Sequence, residues 1–213
     1  MELADKPLKQ ATALRQASLV DAAVRLAAHS SPATITTADL AHAVGITQGA
    51  VFRHFASKEA IWLAVLDWSI DTLMTRLQTA ADVQSDPVLA LRAVFLAHVD
   101  FAVEHPGVPR VIFQELQHAG DTPLKARVRD LMQHYRQLLL RLLSTAQTRH
   151  AIAQDTDLPA ATVLFIGAVQ GLVMQSLISG QVATMATLAP GVFDIYRRGL
   201  GAEPGLLLTQ GLP

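Results

Sequence analysis

Among the polar side chains between positions 36 and 58, seven could meet nucleic acid: Thr36, Thr37, Thr47, Gln48, Arg53, His54 and Lys58. Their types suit nucleic acid. A glutamine amide such as that of Gln48 can bond an adenine edge, and the methyl groups of Thr47 and Ala50 can meet a thymine methyl. Arg53, Lys58 and a helix start at Thr36 or Thr37 are placed for phosphates, which fix position without specifying sequence. Three rings, Phe52, His54 and Phe55, fall within four residues of the same stretch.

Two short helices joined by a tight turn would position these groups. Thr36 or Thr37 can cap a helix over about 37–44 that stops at Gly45, and Thr47 can cap a second to about His54. Ala41 sits four residues before Gly45, small enough for the second helix to cross closely, and Gly45 permits a left-handed turn. Leu40, Val44, Ile46, Val51 and Phe55 supply a shared core. The pattern is a helix-turn-helix, whose second helix enters a major groove. Gly49 and Ala50 are the anomaly, because glycine inside a helix costs about 1 kcal/mol relative to alanine. Either they pack within a plain three-helix core, or they clear the surface for close approach to a base edge. The spacing favours the second.

The rest of the chain reads as helix, with almost no strand signal, so the fold class is all-α with about nine helices. A first helix over about 8–29 places Leu14, Ala17, Val20, Val24 and Ala27 on one face. Ser57 caps a long helix over about 57–79, with Glu59 in its first turn, and this helix carries two apolar lines. Ile61, Val65 and Trp68 form one; Trp62, Leu66, Ile70, Leu73 and Leu77 form the other. It reads as a connector between a DNA-binding domain at 1–56 and a ligand-binding and dimerisation domain at 57–213. Asp86-Pro87, Pro109, Thr122-Pro123 and Asp157-Leu158-Pro159 open the later helices, to about His105, Ala119, His150 and Gly180. A final helix covers about 184–200, with a bend expected at Pro190-Gly191, and the tail from Gly201 reads as loose.

Net charge is −1, but it divides: six Lys/Arg against four acids up to Lys58, eleven against fourteen beyond. That is a weak hint of an anionic partner near the N-terminus. The absence of cysteine removes disulfides and thiolate zinc sites and fits a cytoplasmic protein, and the N-terminus lacks an export pattern. The run from Leu158 to Phe193 has no charged or histidine side chain and is long enough to span a bilayer. Its scattered Thr162, Gln170, Gln175, Ser176 and Ser179 favour a packed protein helix, so no membrane association is expected.

The C-terminal body shows no nucleophile–base pair, so no enzyme activity is expected. His98, His105, His118 and His134 lack the spacing of a metal site, so neither metal nor cofactor is expected. An apolar ligand pocket is the better expectation, lined by Phe95 and Phe101, by Phe113 of the next helix, and by Phe165 and Met174. His98, Gln117, His134 and Gln170 could orient a small, mainly apolar effector there. Leu164, Gly167, Ala168, Gly171 and Gln175 share one face of the uncharged helix. With the last helix they make an expected homodimer surface, where small residues allow close approach.

The run TTADLAHAVGITQGAVFRHFASKEAIWLAVL resembles the N-terminal DNA-binding domain of TetR-family transcriptional regulators. The resemblance covers about residues 10–66. It implies a homodimer on double-stranded operator DNA, a helical ligand domain, and repression relieved by a small molecule. For His54 it leaves two roles open, a phosphate contact or a place flanking Phe55. Phe52 stands where the family usually carries tyrosine, and its ring has no hydroxyl to offer a phosphate. Two rivals remain: a nucleoid-associated or cell-division regulator on the same fold, with a protein partner, and a helical enzyme or carrier.

Overall fold

A computed structural model describes residues 5–201; the tail read as loose lies outside them, apart from Gly201. The described residues form nine helices and no strand. They are α1 (Asp5–Ala27), α2 (Thr37–Ala43), α3 (Gln48–Val51), α4 (Lys58–Asp82), α5 (Pro87–Glu104), α6 (Gly107–Leu116), α7 (Pro123–Thr148), α8 (Leu158–Ser179) and α9 (Thr184–Gly199). The chain divides into two compact units. One holds residues up to Thr72 with Glu104–Met132; the other holds Leu73–Val103 with residues from Gln133 onward.

The expected helix starts are present because the capping chemistry is local. Ser57 Oγ accepts from the Ala60 N–H at 3.1 Å, and Asp86 Oδ1 from Val88 and Leu89 at 2.8 and 2.9 Å. Thr122 Oγ1 accepts from Lys125 at 3.1 Å, and Asp157 Oδ1 from Ala160 at 3.0 Å. Each satisfies an amide that has no partner inside its helix. The sixth helix departs from the expected 109–119. It starts at Gly107, two residues before Pro109. The first four amides of a helix need no helical acceptor, so a proline at its third position is tolerated and does not mark the start.

In the first unit, α1 buries Leu19, Val20, Ala22, Ala23, Val24 and Ala27. Leu14 and Ala17, expected on that face, are exposed; the buried stripe begins only at Leu19. The backbone of Gly107 lies directly on α1: a Cβ there would sit 2.1 Å from the Val24 carbonyl oxygen. No other residue fits without displacing backbone, so Gly107 sets how closely α6 approaches α1. Ile61, Trp62, Val65 and Leu66 of α4 are buried in turn, and Arg127 holds Asp67 at 2.9 Å.

The second unit is centred on an aromatic cluster. Phe95 meets Phe165 edge-on at 5.2 Å between centroids, and Phe165 meets Tyr196 at 5.4 Å. Phe193 and Tyr135 complete it. Edge-to-face rings exploit the aromatic quadrupole as well as apolar burial. The Tyr196 hydroxyl donates to the Ala161 carbonyl at 3.0 Å, which ties α9 to α8. Among the described residues α8 alone is long and apolar enough to cross a membrane, and just under half of its most apolar window is buried. It is therefore less enclosed than a core helix. Phe165, Ile166, Val169, Leu172 and Val173 face inward, while Val163, Leu164, Met174 and Ile178 are exposed. On α9 the helix continues through Pro190.

Candidate nucleic-acid interface

Residues 36–54 fold as two short helices around a left-handed glycine. Thr36 caps α2 through a reciprocal pair: its hydroxyl accepts from the Asp39 N–H at 3.1 Å, and the Asp39 carboxylate accepts from the Thr36 N–H at 2.8 Å. The Thr36 hydroxyl also donates to Asp39 at 2.7 Å. These bonds, the backbone one first, hold the Asp39 carboxyl below its ordinary value. The Thr-x-x-Asp spacing carries this box in the sequence, yet Asp39 was not among the candidate residues. Gly45 turns at φ +68°, and the Ile46 N–H returns to the Ala41 carbonyl at 3.0 Å. Thr47 caps α3, its hydroxyl accepting from Ala50 at 3.3 Å. α3 itself is only four residues long, but helical-type bonds from Arg53 to Ala50 and from His54 to Val51 carry the winding to His54.

Burial separates the two faces of this motif. Leu40, Ala41, Val51 and Phe55 are buried, while Val44 and Ile46 are only half-buried. Thr47, Gln48, Gly49, Phe52 and Arg53 are exposed, and Ala50 is half-buried. Phe52, whose ring has no hydroxyl to offer a phosphate, is 49% exposed. It follows the fully buried Val51, and one residue of helix turns about 100° away from the core.

Gly49 has the clearest geometry. A Cβ built there would meet no atom within 4 Å, and its φ is not positive. Neither packing inside the chain nor backbone strain requires glycine at this position.

Four side chains, those of Gln16, Gln48, Lys58 and Gln114, carry internal bonds that local spacing does not disclose. Gln48 Nε2 donates to Thr37 Oγ1 at 2.8 Å, joining the amide assigned to bases with the hydroxyl assigned to phosphates. Lys58 Nζ donates to the Ala33 carbonyl at 3.1 Å; an ammonium has three donors, so two remain. His54 is half-buried, its Nδ1 is enclosed without a hydrogen-bond partner, and its carbonyl accepts from Gln16 at 2.8 Å. Gln114 of α6 reaches the turn before α2, its Oε1 accepting from the Ala33 N–H at 2.9 Å and from Ser31 Oγ at 3.2 Å. No local signal marks Gln114 or Gln16; their partners are remote in sequence.

The expected ligand-pocket residues divide between the two units. Phe113 and Gln117 belong to the first unit, the others to the second. Phe95, Phe101 and Phe165 are buried. His98 shares a hydrogen bond with the Tyr135 hydroxyl at 3.0 Å, and burial pushes its pKa down to about 4. Burial likewise raises the Tyr135 phenol well above its ordinary value. Of the four polar groups expected in an apolar setting, only His98 has one. Gln117, His134 and Gln170 are exposed, as is Met174. Helix phase explains it: α7 turns Leu131, Tyr135 and Leu138 inward, and His134 falls one position off that line. On α8, Leu164, Gly167, Gly171 and Gln175 are exposed and Ala168 is half-buried. They join Leu188 and Ile195 of α9 as the exposed face of that helix pair.

Comparison with known proteins agrees with this geometry. Residues 19–65 match the model for bacterial regulatory proteins of the tetR family. Over 143 residues the chain is 27% identical to the nucleoid occlusion factor SlmA of Enterobacter sp. (strain 638), covering 67% of this chain and 72% of that protein. The fold resembles the fatty acid degradation regulator FadR from Bacillus halodurans, with a TM-score of 0.78, 18% identity, and 88% and 97% of the two chains covered. It also resembles FadR from Bacillus subtilis in complex with stearoyl-CoA, with a TM-score of 0.75, 18% identity, and 85% and 97% covered. The chain thus carries, over residues 19–65, a helix-turn-helix domain that matches the tetR family of bacterial regulatory proteins, on an all-α fold shared with the FadR structures.

Proposed function

We propose that this regulator is a homodimeric repressor that reads operator DNA through residues 36–58 and releases it when an apolar effector binds the C-terminal body. The observation that carries the DNA reading is Gly49, whose open surface nothing inside the chain explains. In this reading Gln48 and Phe52 face bases beside Gly49 and Ala50, with the Thr47 methyl. Thr36, Thr37, Arg53, His54 and Lys58 meet phosphates. Gln48 must exchange its bond to Thr37 for one to a base, a swap of one hydrogen bond for another.

The exposed apolar face of α8 and α9 supports the dimer. Along it runs a groove of about 430 Å³ lined by Ala168, Gly171, Gln175 and Leu188 among others. A second copy would cover Leu164, Ile178 and Ile195, which are otherwise 58%, 72% and 64% exposed. Two reading helices then set the spacing of a palindromic site.

The apolar effector rests on the apolar, aromatic character of the second unit around Phe95 and Phe165, and on the stearoyl-CoA in the B. subtilis FadR complex. An effector shifts DNA affinity only through its different affinities for two conformations. Stearoyl-CoA should therefore lower the affinity of the protein for its operator, whereas coenzyme A alone should not.

The likeness to SlmA supports a second reading, a nucleoid-binding factor with a protein partner. Mapping genomic binding sites separates the two. A few promoter-proximal palindromes are expected of the repressor; many scattered sites with no response to acyl thioesters would replace it with the second reading.

A further inference from the structure

Among the described residues Glu115 is the only buried charged side chain, at 7% exposure. The buried Ser69, Thr162 and Ser176 donate to carbonyls of their own helix and need nothing more. Glu115 is different. Thr122 donates to its Oε1, and the imidazole Nε2 of His118 stands 3.8 Å from Oε2, beyond hydrogen-bond range. Lys58 gives a hydrogen bond to the Ala33 carbonyl and Lys125 one to the His118 carbonyl, and neither is paired with Glu115. A buried carboxylate without a close cation is costly and favours a positive partner.

This carboxylate lines a concavity of about 420 Å³ within the first unit. Trp62, Val111 and Leu124 form its apolar wall, and Glu59 adds a second negative charge. The volume lies in the range of small-molecule sites, about 300–1,000 Å³. A carboxylate beside an indole is the combination that holds organic cations, through an ion pair and the negative face of the ring.

We propose that this concavity binds a small organic ammonium compound, its charge on Glu115 and its apolar part against Trp62. The site is separate from the effector region of the second unit. Its walls include Lys58 and Gln114, the two side chains that hold the Ala33 turn ahead of α2.

The chain has two tryptophans, so Trp68→Phe leaves Trp62 as the sole fluorescent reporter. That variant, free of DNA, is titrated with phenethylammonium chloride, 2-phenylethanol and phenylacetate. A saturable change with the ammonium, at least about tenfold weaker with the alcohol and absent with the carboxylate, is expected. Adding Glu115→Gln, with the helical circular dichroism intact, should weaken ammonium binding by at least about tenfold. No saturable response, equal response to the alcohol, or unchanged binding by folded Glu115→Gln overturns the site. If Glu115→Gln does not fold, the three-ligand comparison decides alone.

Discussion

His98 shows what a single side chain contributes and how to detect it. Its imidazole titrates near 4 in the folded chain against an ordinary 6.5, because burial disfavours the charged form. Between those values the unfolded chain holds a proton that the folded chain lacks. Stability is therefore full above 6.5 and falls as pH drops towards 4, by up to about 1 kcal/mol per pH unit. Urea midpoints of the wild type and His98→Asn, compared from pH 7 to about 4, isolate this group from the carboxylates. The wild type should lose more over that window; parallel curves would remove His98 as the cause. Residue types in 36–58 were legible from spacing, because caps, turn glycine and core positions are local. The Gln48–Thr37 and Gln114–Ala33 bonds were not, since each joins residues that only folding brings together.

Elements were legible wherever a cap or terminator defined them. Asp157 and Gly180 bracket α8, the glycine closing it at φ +71°, as their types require. The start of α6 was misread because Pro109 resembles an opener, while the true constraint lies two residues earlier. Gly107 is needed for contact between helices, and such contact leaves no mark in the local pattern. Gly107→Ala should push α6 off Val24 and destabilise the chain by about 1–3 kcal/mol, the usual range for overpacking. A urea midpoint equal to that of the wild type would show that α1 and α6 can part without cost.

For the whole molecule, the all-α class was readable from periodicity, and the helix-turn-helix from its caps, turn glycine and spacing. On α8 the small residues Gly167, Ala168 and Gly171 marked a face, Leu164 included, for a partner; Leu164 is exposed and Val169 is buried. Which polar side chains would be enclosed by the chain's own core was not readable: His134 and Gln170 are exposed. If a second copy covers the exposed face, Gly171→Leu should convert dimer to monomer in light scattering, because a Cβ added there meets no atom of its own chain within 4 Å and the side chain would project from the exposed face. An unchanged dimer mass would move the interface elsewhere.

DNA reading through an open α3 surface is the central claim, and Gly49→Leu tests it most directly. A Cβ added there meets nothing in its own chain and the position is exposed, so folding stability should change little, within about 0.5 kcal/mol. Fluorescence anisotropy on a duplex selected by the wild type should show at least about a tenfold loss of affinity for the variant. Equal affinity of variant and wild type, or a wild type that retains no duplex at low salt, would contradict the account.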